Sequence, residues 1–224
     1  MPRALILRHH DEDRPGLVGD ALESRGFEIT VALLDAQSPT PTLENVDLLV
    51  ILGSKHAVYD ADVEAAWFGR ELALIADADQ RGVAIFGICF GAQALCRYFG
   101  GEVRRAKDAE IGWFTIDAES GSPISSGPWF EYHFDECVLP DAATIWATSP
   151  RAVQAFAIGR HVGVQFHPEL DAAQLAEWFD AGDDVRDLGL NPEALLEETR
   201  RETPAARLRS AALVDVVLTH TGQF

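Results

Sequence analysis

The stretch V-A-I-F-G-I-C-F-G-A-Q, residues 83–93, decides the fold of this chain. Its first six residues are apolar or glycine, which is typical of a strand buried on both faces of a sheet. Residues 90–99 can form a helix that ends at a pair of glycines. Cys89 is therefore predicted to stand at a direct turn from strand to helix, with Gly87 two residues before it and Gly91 two residues after it.

A cysteine at such a turn has a specific chemical use. The turn lifts the side chain above the sheet, and glycines flank it because the backbone approaches itself closely there. The positive end of the helix dipole favours the thiolate of Cys89, and the backbone N–H of Phe90 is the leading candidate donor to an oxyanion. Taken alone, the motif also fits a small buried residue at a tight turn. Cys96 and Cys137 lack this context and are predicted to lie in the core.

A general base for this cysteine is found in G-V-Q-F-H-P-E, residues 163–169. The first four residues are typical of a strand, and His167 stands at its end, before a proline that halts it. In an extended chain, His167 and Glu169 project to the same side. A carboxylate that orients an imidazole, which in turn faces a thiol, is the general arrangement of a catalytic triad.

Outward from these motifs, strand and helix signals alternate along the first half of the chain. The pattern predicts an α/β fold of three layers, with a doubly wound, mostly parallel sheet. Residues 102–166 contain short strand-like pieces that we expect at a sheet edge or in an antiparallel excursion. The predicted strands are 4–7, 27–34, 46–53 and 83–88, and the predicted helices are 16–25, 62–80 and 90–99.

The remainder, after His167, is predicted to be helical. Good helix starts stand at Asn191 and again at Thr203–Pro204. An apolar stripe near the C-terminus fits packing onto the sheet, or a contact between two copies, which leaves a homodimer open.

Composition and charge exclude several functions. The chain has 224 residues, with 36 Asp and Glu against 18 Lys and Arg, so its formal net charge is -18. Nucleic acids and anionic membranes require clustered positive charge, so neither is an expected partner. Three cysteines without paired spacing, no signal peptide and no long apolar run predict a cytoplasmic protein. The polar run 9–16 starts with two histidines but lacks zinc-site spacing, so we expect a loop beside the cleft and no metal.

The motifs G-I-C-F-G-A-Q and V-G-V-Q-F-H-P-E together resemble the class I, triad-type glutamine amidotransferases, and most closely stand-alone proteins similar to the amidotransferase domain of GMP synthase. Supporting likeness lies in I-L-G-S (51–54), E-I-G-W (110–113) and W-F-E-Y-H-F-D (129–135). The resemblance covers roughly residues 3–180. It implies a flavodoxin-like amidotransferase domain at 1–182, followed by a helical C-terminal extension, 183–224, packed on the same domain.

The resemblance also implies roles for individual residues. Cys89 would attack the side-chain amide of glutamine, His167 would act as acid and base, and Glu169 would orient His167. A thioester would form, ammonia would leave, and water would release glutamate without any cofactor. Substrate or oxyanion contacts are implied for Gly53, Ser54, Gln93, Tyr132, His133 and Phe134, with the last three contributing backbone groups.

Two departures from the family pattern bear on the substrate site. Many relatives have Gly-Gly-Pro where this chain has Gly53-Ser54-Lys55-His56, so we expect the loop to be less free to flip its peptide. Lys55 in this loop could bind a substrate carboxylate, contact a partner protein or be solvated. Relatives often have Ser-His-Gly at residues 132–134, and the bulk of Tyr-His-Phe is expected to narrow or redirect the pocket.

Three functions follow from these residues. The leading hypothesis is a glutaminase that passes ammonia to a separate acceptor or synthetase subunit, because no P-loop or other nucleotide motif is present. A second is a stand-alone hydrolase of γ-glutamyl amines or peptides. A third is a non-catalytic regulatory binding protein with the same fold, against which the intact triad argues.

Overall fold

Five parallel strands form one half of a nine-stranded sheet. A computed structural model describes residues 1–182 and 185–223. The order across the sheet is β2-β1-β3-β4-β9-β8-β7-β5-β6, in which the first five strands run parallel and the remaining pairings are antiparallel. The strands are β1 (Arg3–Arg8), β2 (Glu28–Leu33), β3 (Leu48–Ile51), β4 (Ala84–Ile88), β5 (Glu102–Ala118), β6 (Gly127–Val138), β7 (Ala143–Thr148), β8 (Val153–Ile158) and β9 (His161–Val164).

Helices cover both faces of the sheet. The side chains of β1 show why: Ala4 and Ile6 join a core with α1 and α6, whereas Leu5 and Leu7 join a second core with α3 and α4. This alternation confirms the predicted three-layer α/β fold. The helices are α1 (Gly16–Ser24), α2 (Ala61–Val63), α3 (Gly69–Arg81), α4 (Phe90–Tyr98), α5 (Ala172–Asp180) and α6 (Pro192–Thr221), with a π-helical turn (Glu64–Phe68) and a 3-10 turn (Arg186–Leu188).

The C-terminal helix α6 starts at the predicted position but does not restart at Thr203–Pro204, so that part of the prediction is wrong. A proline inside a helix costs about 3 kcal/mol. Burial of Leu213 and Val217 in the core opposes this cost. The apolar stripe therefore packs onto the sheet. Residues 183 and 184, where the predicted extension begins, lie outside the described residues, and the division of the chain at that point stays a prediction.

The middle of the chain is antiparallel, as expected, but its first two strands are much longer than the predicted short pieces. β5 has 17 residues and β6 has 12, and they form a long hairpin. The pairing register of β5 with β6 shifts between Arg105 and Glu110, and Gly112 has a φ of 120°. These irregularities interrupt the alternation of inward and outward side chains, although the strand itself continues. Over residues 1–182 and 185–223, no helix has the length and apolar character needed to cross a lipid bilayer.

Candidate active site

Three neighbouring parallel strands end at the same edge of the sheet. β4 lies between β3 and β9; Gly53 follows β3, Cys89 follows β4, and His167 follows β9. In doubly wound sheets this edge, outside the carboxyl ends of the strands, is where ligands bind. The three residues pack together: a Cβ atom on Gly53 would lie 3.0 Å from His167 Cε1 and 3.7 Å from Cys89 Cβ.

The turn at Cys89 is strained, and its glycines are required by close approach. Cys89 has φ 50° and ψ -104°, a left-handed backbone conformation that residues with a side chain seldom adopt. A Cβ on Gly87 would lie 2.5 Å from the backbone of Gly91, and a Cβ on Gly91 would lie 2.3 Å from the carbonyl oxygen of Ile51. No larger residue fits either position without moving backbone, so the two glycines permit the turn that presents Cys89.

The sulfur of Cys89 lies at the base of the cleft, where the residue is 5% exposed. Gln165 Nε2 donates to Sγ at 3.5 Å, and Sγ lies 3.9 Å from the carbonyl oxygen of Tyr132. Gln93, implied by the resemblance to bind substrate, borders the cleft but donates from Nε2 to Gln165 Oε1 at 3.2 Å. Gln93 therefore contacts Gln165, the residue that donates to the sulfur of Cys89. Phe90, the first residue of α4, has a buried ring.

His167 and Glu169 form a buried pair beside the sulfur. His167 Nδ1 is 2.7 Å from Glu169 Oε1, which leaves Nε2 as the ring nitrogen that can exchange a proton with Cys89. Burial alone lowers the pKa of His167, but the negative charges of Glu169 and Cys89 outweigh it and raise that pKa well above the ordinary value. The backbone of Glu169 is held in turn, because its carbonyl oxygen accepts from Leu17 N at 2.8 Å. The arrangement can support an imidazolium facing a thiolate.

The side chain of His133 makes contacts of its own, in addition to the backbone contact with substrate that the resemblance implies. Its ring is buried under the site; Nδ1 donates to the carbonyl oxygen of Asp135 at 2.9 Å, and Nε2 lies 3.2 Å from Glu110 Oε2 and 3.4 Å from Glu131 Oε2. Burial alone lowers the pKa of His133, but the two glutamates raise it to about 10. Burial raises the pKa of Glu131 to about 7. The raised pKa favours a buried imidazolium, which anchors the part of β6 that carries the Tyr132 carbonyl; residues 132–134 are thus within a strand.

This cluster predicts a pH dependence of stability. Because the pKa of His133 is raised in the folded chain, its stabilising contribution is complete below the unfolded value of about 6.5 and is lost as the pH rises through about 10. We expect the wild type to lose more stability between about pH 7 and pH 10 than the double variant His133→Gln/Glu131→Gln. Glu131 is replaced as well because His133 lowers the pKa of that buried carboxyl, which would otherwise titrate in the same pH range. Urea unfolding at several pH values measures this, with His220→Gln, an exposed histidine, as the control. Equal slopes in the wild type and the double variant would contradict the assignment.

Aromatic side chains border the cleft at residues 132 and 134, where the sequence predicts large side chains in the substrate pocket. Tyr132 and Phe134 both border a cleft of about 430 Å³, together with Trp178. The Tyr132 ring lies 6.0 Å from the Trp178 ring, and the guanidinium of Arg105 lies 4.5 Å from the centre of the Phe134 ring. These groups give one wall of the cleft an aromatic surface.

The loop after β3 also borders the cleft. Ser54 borders the cleft, and its Oγ accepts from the backbone of His56 at 3.3 Å. Lys55 Nζ forms a 2.9 Å ion pair with Glu12 Oε1 and is 42% exposed. Lys55 therefore links this loop to the polar loop after β1, which borders the cleft as expected.

Some residues at the site were missed by the sequence reasoning. Gln165 contacts the sulfur, and Glu131 lies beside His133. His9 lies at the start of the predicted polar loop, but its side chain is buried, because it is only 4% exposed and bonds to Gly53 and to Glu71. The position of His9 directly after the first strand, at the edge where ligands bind, was a sequence signal that it could belong to the site. No sequence signal indicated that the glutamate on the helix, Glu71, would be buried beside it.

Cys96 and Cys137 are buried and free, as predicted.

The sequence of this chain is similar to that of known glutamine amidotransferases. Residues 17–177 match the family model described as glutamine amidotransferase class-I. A glutamine-hydrolysing GMP synthase from Brucella melitensis is 33% identical over 147 residues, which cover 58% of this chain and 27% of that enzyme, so the chain spans well under half of that relative's length.

Solved structures give the same result. A glutamine amidotransferase from Thermotoga maritima superposes with a TM-score of 0.87 at 26% identity, covering 97% of this chain and 98% of that one. The fold also matches a glutamine amido transferase from Methylobacillus flagellatus, with a TM-score of 0.85 at 22% identity, covering 98% and 94%. The family and fold predicted from the sequence are confirmed, and the chain belongs to the class I glutamine amidotransferases, a family of glutamine-hydrolysing enzymes.

Proposed function

We propose that this enzyme hydrolyses the side-chain amide of glutamine through Cys89, His167 and Glu169. The observation that carries the proposal is the meeting of a strained cysteine turn and a buried 2.7 Å histidine–glutamate pair at adjacent strand ends. The Cys89 thiolate forms a bond to the amide carbon while the carbonyl π electrons move to oxygen. His167 then gives its Nε2 proton to the leaving nitrogen, the C–N bond breaks, and ammonia leaves a γ-glutamyl thioester.

The second half of the reaction returns the enzyme to its starting state. Neutral His167 takes a proton from water, and the hydroxide formed attacks the thioester carbon. The C–S bond breaks, glutamate leaves, and the Cys89 thiolate is restored. In this proposal the backbone N–H groups of Phe90 and Ser54 donate to the oxyanion, and Gln93 and the backbone of residues 132–134 hold the amino-acid end of glutamine.

The ammonia is proposed to pass to a separate acceptor enzyme. The relative from Brucella melitensis is a GMP synthase that hydrolyses glutamine, and only 27% of its length is matched by this chain. A synthetase as the acceptor of the ammonia fits that comparison. Three free, buried cysteines and a thiolate mechanism fit a reducing, cytoplasmic setting.

A second candidate is the hydrolysis of a γ-glutamyl amine or peptide. It is favoured by the cleft beyond the triad, which carries four acidic side chains besides the aromatic wall: Glu12, Asp13, Asp60 and Asp135. Lys55 and Arg105 also border the cleft and pair with Glu12 and Asp135. A cationic amine attached to the γ-carbonyl would meet complementary charge at the other two, Asp13 and Asp60.

Release of glutamate from a panel of amides tests the proposal. Purified protein is assayed with glutamine, a γ-glutamyl diamine and a γ-glutamyl peptide. We expect glutamine to be the best substrate by kcat/KM. A preference for the diamine would replace the first candidate with the second, and no release from any compound, with or without cell extract as a source of partner, would contradict both.

A further inference from the structure

A buried histidine–glutamate pair lies behind the loop that follows β3. His9 Nδ1 is 2.7 Å from the carbonyl oxygen of Gly53, and His9 Nε2 is 2.7 Å from Glu71 Oε2 on α3. Both side chains are fully buried. The rings of Trp67 and Phe90 pack on the imidazole, at 4.8 Å and 5.0 Å between ring centres. The triad does not use this pair, so its burial needs another explanation.

The hydrogen bonds fix which atom donates. A carbonyl oxygen only accepts, so the 2.7 Å contact requires a proton on His9 Nδ1. Glu71 at Nε2 makes the doubly protonated ring favourable. Burial alone lowers the pKa of His9, but the charge and hydrogen bond of Glu71 and the Gly53 carbonyl outweigh it and raise that pKa. Glu71 therefore keeps His9 as a donor to Gly53.

Planarity of the peptide carries this interaction to the cleft. In a trans peptide, the carbonyl of one residue and the N–H of the next point in opposite directions. The Gly53 carbonyl points to buried His9, so the Ser54 N–H points away from it. A Cβ on Gly53 would approach His167 and Cys89, and Ser54 borders the cleft, so the Gly53–Ser54 peptide lies beside the proposed nucleophile.

We propose that His9 and Glu71 are positioning residues that hold the Gly53–Ser54 peptide with its N–H directed at the oxyanion formed on attack by Cys89. This inference rests on the proposed amide hydrolysis. It gives a physical role to the departure from Gly-Gly-Pro: the loop needs no second glycine for flipping, because a buried donor sets the peptide in one orientation. Without that donor, the Gly53 carbonyl is free to turn its lone pairs toward the same oxyanion.

The test compares two reactions of Cys89. Amide hydrolysis forms an oxyanion, whereas alkylation by iodoacetamide displaces iodide at a saturated carbon and forms none. We expect His9→Phe to lower kcat by about 10²- to 10³-fold, the effect of one oxyanion donor, with little change in KM and an alkylation rate within about twofold of wild type. His9→Gln, which keeps an amide donor, is expected to recover part of kcat.

A matched control is available at the other end of the sheet. His161 is also buried and also faces a carboxylate, with Nε2 3.1 Å from Asp79 Oδ1, but it stands at the start of β9. His161→Phe is expected to leave the ratio of hydrolysis to alkylation unchanged. An equal loss of hydrolysis and alkylation in His9→Phe, or no loss of hydrolysis, would overturn the inference.

Crystal structures of the wild type and His9→Phe separate this inference from the proposed function. If the wild type hydrolyses no amide, the proposed function fails, but the orientation of the Gly53 carbonyl still answers the question. A carbonyl that turns toward Cys89 in His9→Phe supports the positioning role. A carbonyl that keeps its orientation without His9 overturns it.

Discussion

Cys89→Ala is expected to lower glutamate release by at least about 10⁴-fold, because the proposed thioester forms on the sulfur of this residue. The fold should survive, since alanine keeps the Cβ of this buried turn and removes only the sulfur. The assay is glutamate release at saturating glutamine, with the thermal unfolding midpoint measured alongside. Cys137→Ala, which removes a buried free sulfur outside the cleft lining, is the matched control and should keep its activity. A Cys89→Ala protein that still releases glutamate at a comparable rate would remove sulfur from the mechanism.

His167→Ala is expected to lower kcat by about 10²- to 10⁴-fold, the usual contribution of a general acid and base. Its loss should also slow alkylation of Cys89 at neutral pH, because the imidazolium that stabilises the thiolate is gone. Glu169→Gln should reduce kcat less, since the imidazole remains and loses only its charged partner.

Two measurements, kcat and the rate of Cys89 alkylation, test the proposed role of His167. Stopped assays give kcat, and loss of free thiol with iodoacetamide gives the alkylation rate. His220→Ala, which alters an exposed histidine on the last turn of α6, should change neither. If His167→Ala kept its kcat, another group would have to supply the proton to the leaving nitrogen.

Most of the parallel half of the fold could be predicted from local patterns. The strand at 83–88 and the helix after it are marked by apolar runs, glycines and a helix stop, and they appear as β4 and α4. The sequence was less informative about the hairpin of β5 and β6. A register shift and a left-handed Gly112 interrupt the alternation, so one continuous strand looks like several.

The same limit applies to α6, where tertiary packing overrides a local signal. Pro204 is typical of a helix start, and nothing nearby in sequence says that the helix passes through it. Only the three-dimensional contacts of the second half of the helix with the sheet show why it continues.

At the site, the positions of the proposed catalytic residues at strand ends were predictable, and the contacts of the residues around them were not. Cys89 directly follows β4 and His167 comes three residues after β9, so the topology of the parallel strands places both at one edge. His9 and Glu71 are separated by 62 positions, and they meet only because α3 packs behind β1. A histidine within a run of charged residues is ordinarily exposed, and its burial here depends on that distant glutamate.

The backbone conformation of Cys89 lowers the stability of the fold in exchange for the position of its sulfur. Its positive φ costs on the order of 1–3 kcal/mol, and glycine at the same position would relieve most of that cost. Any selection that rewards heat resistance alone would therefore favour losing the sulfur, as strained sites in enzymes generally oppose stability. If Cys89 is the nucleophile as proposed, the backbone cost at this turn is the stability lost in exchange for its sulfur.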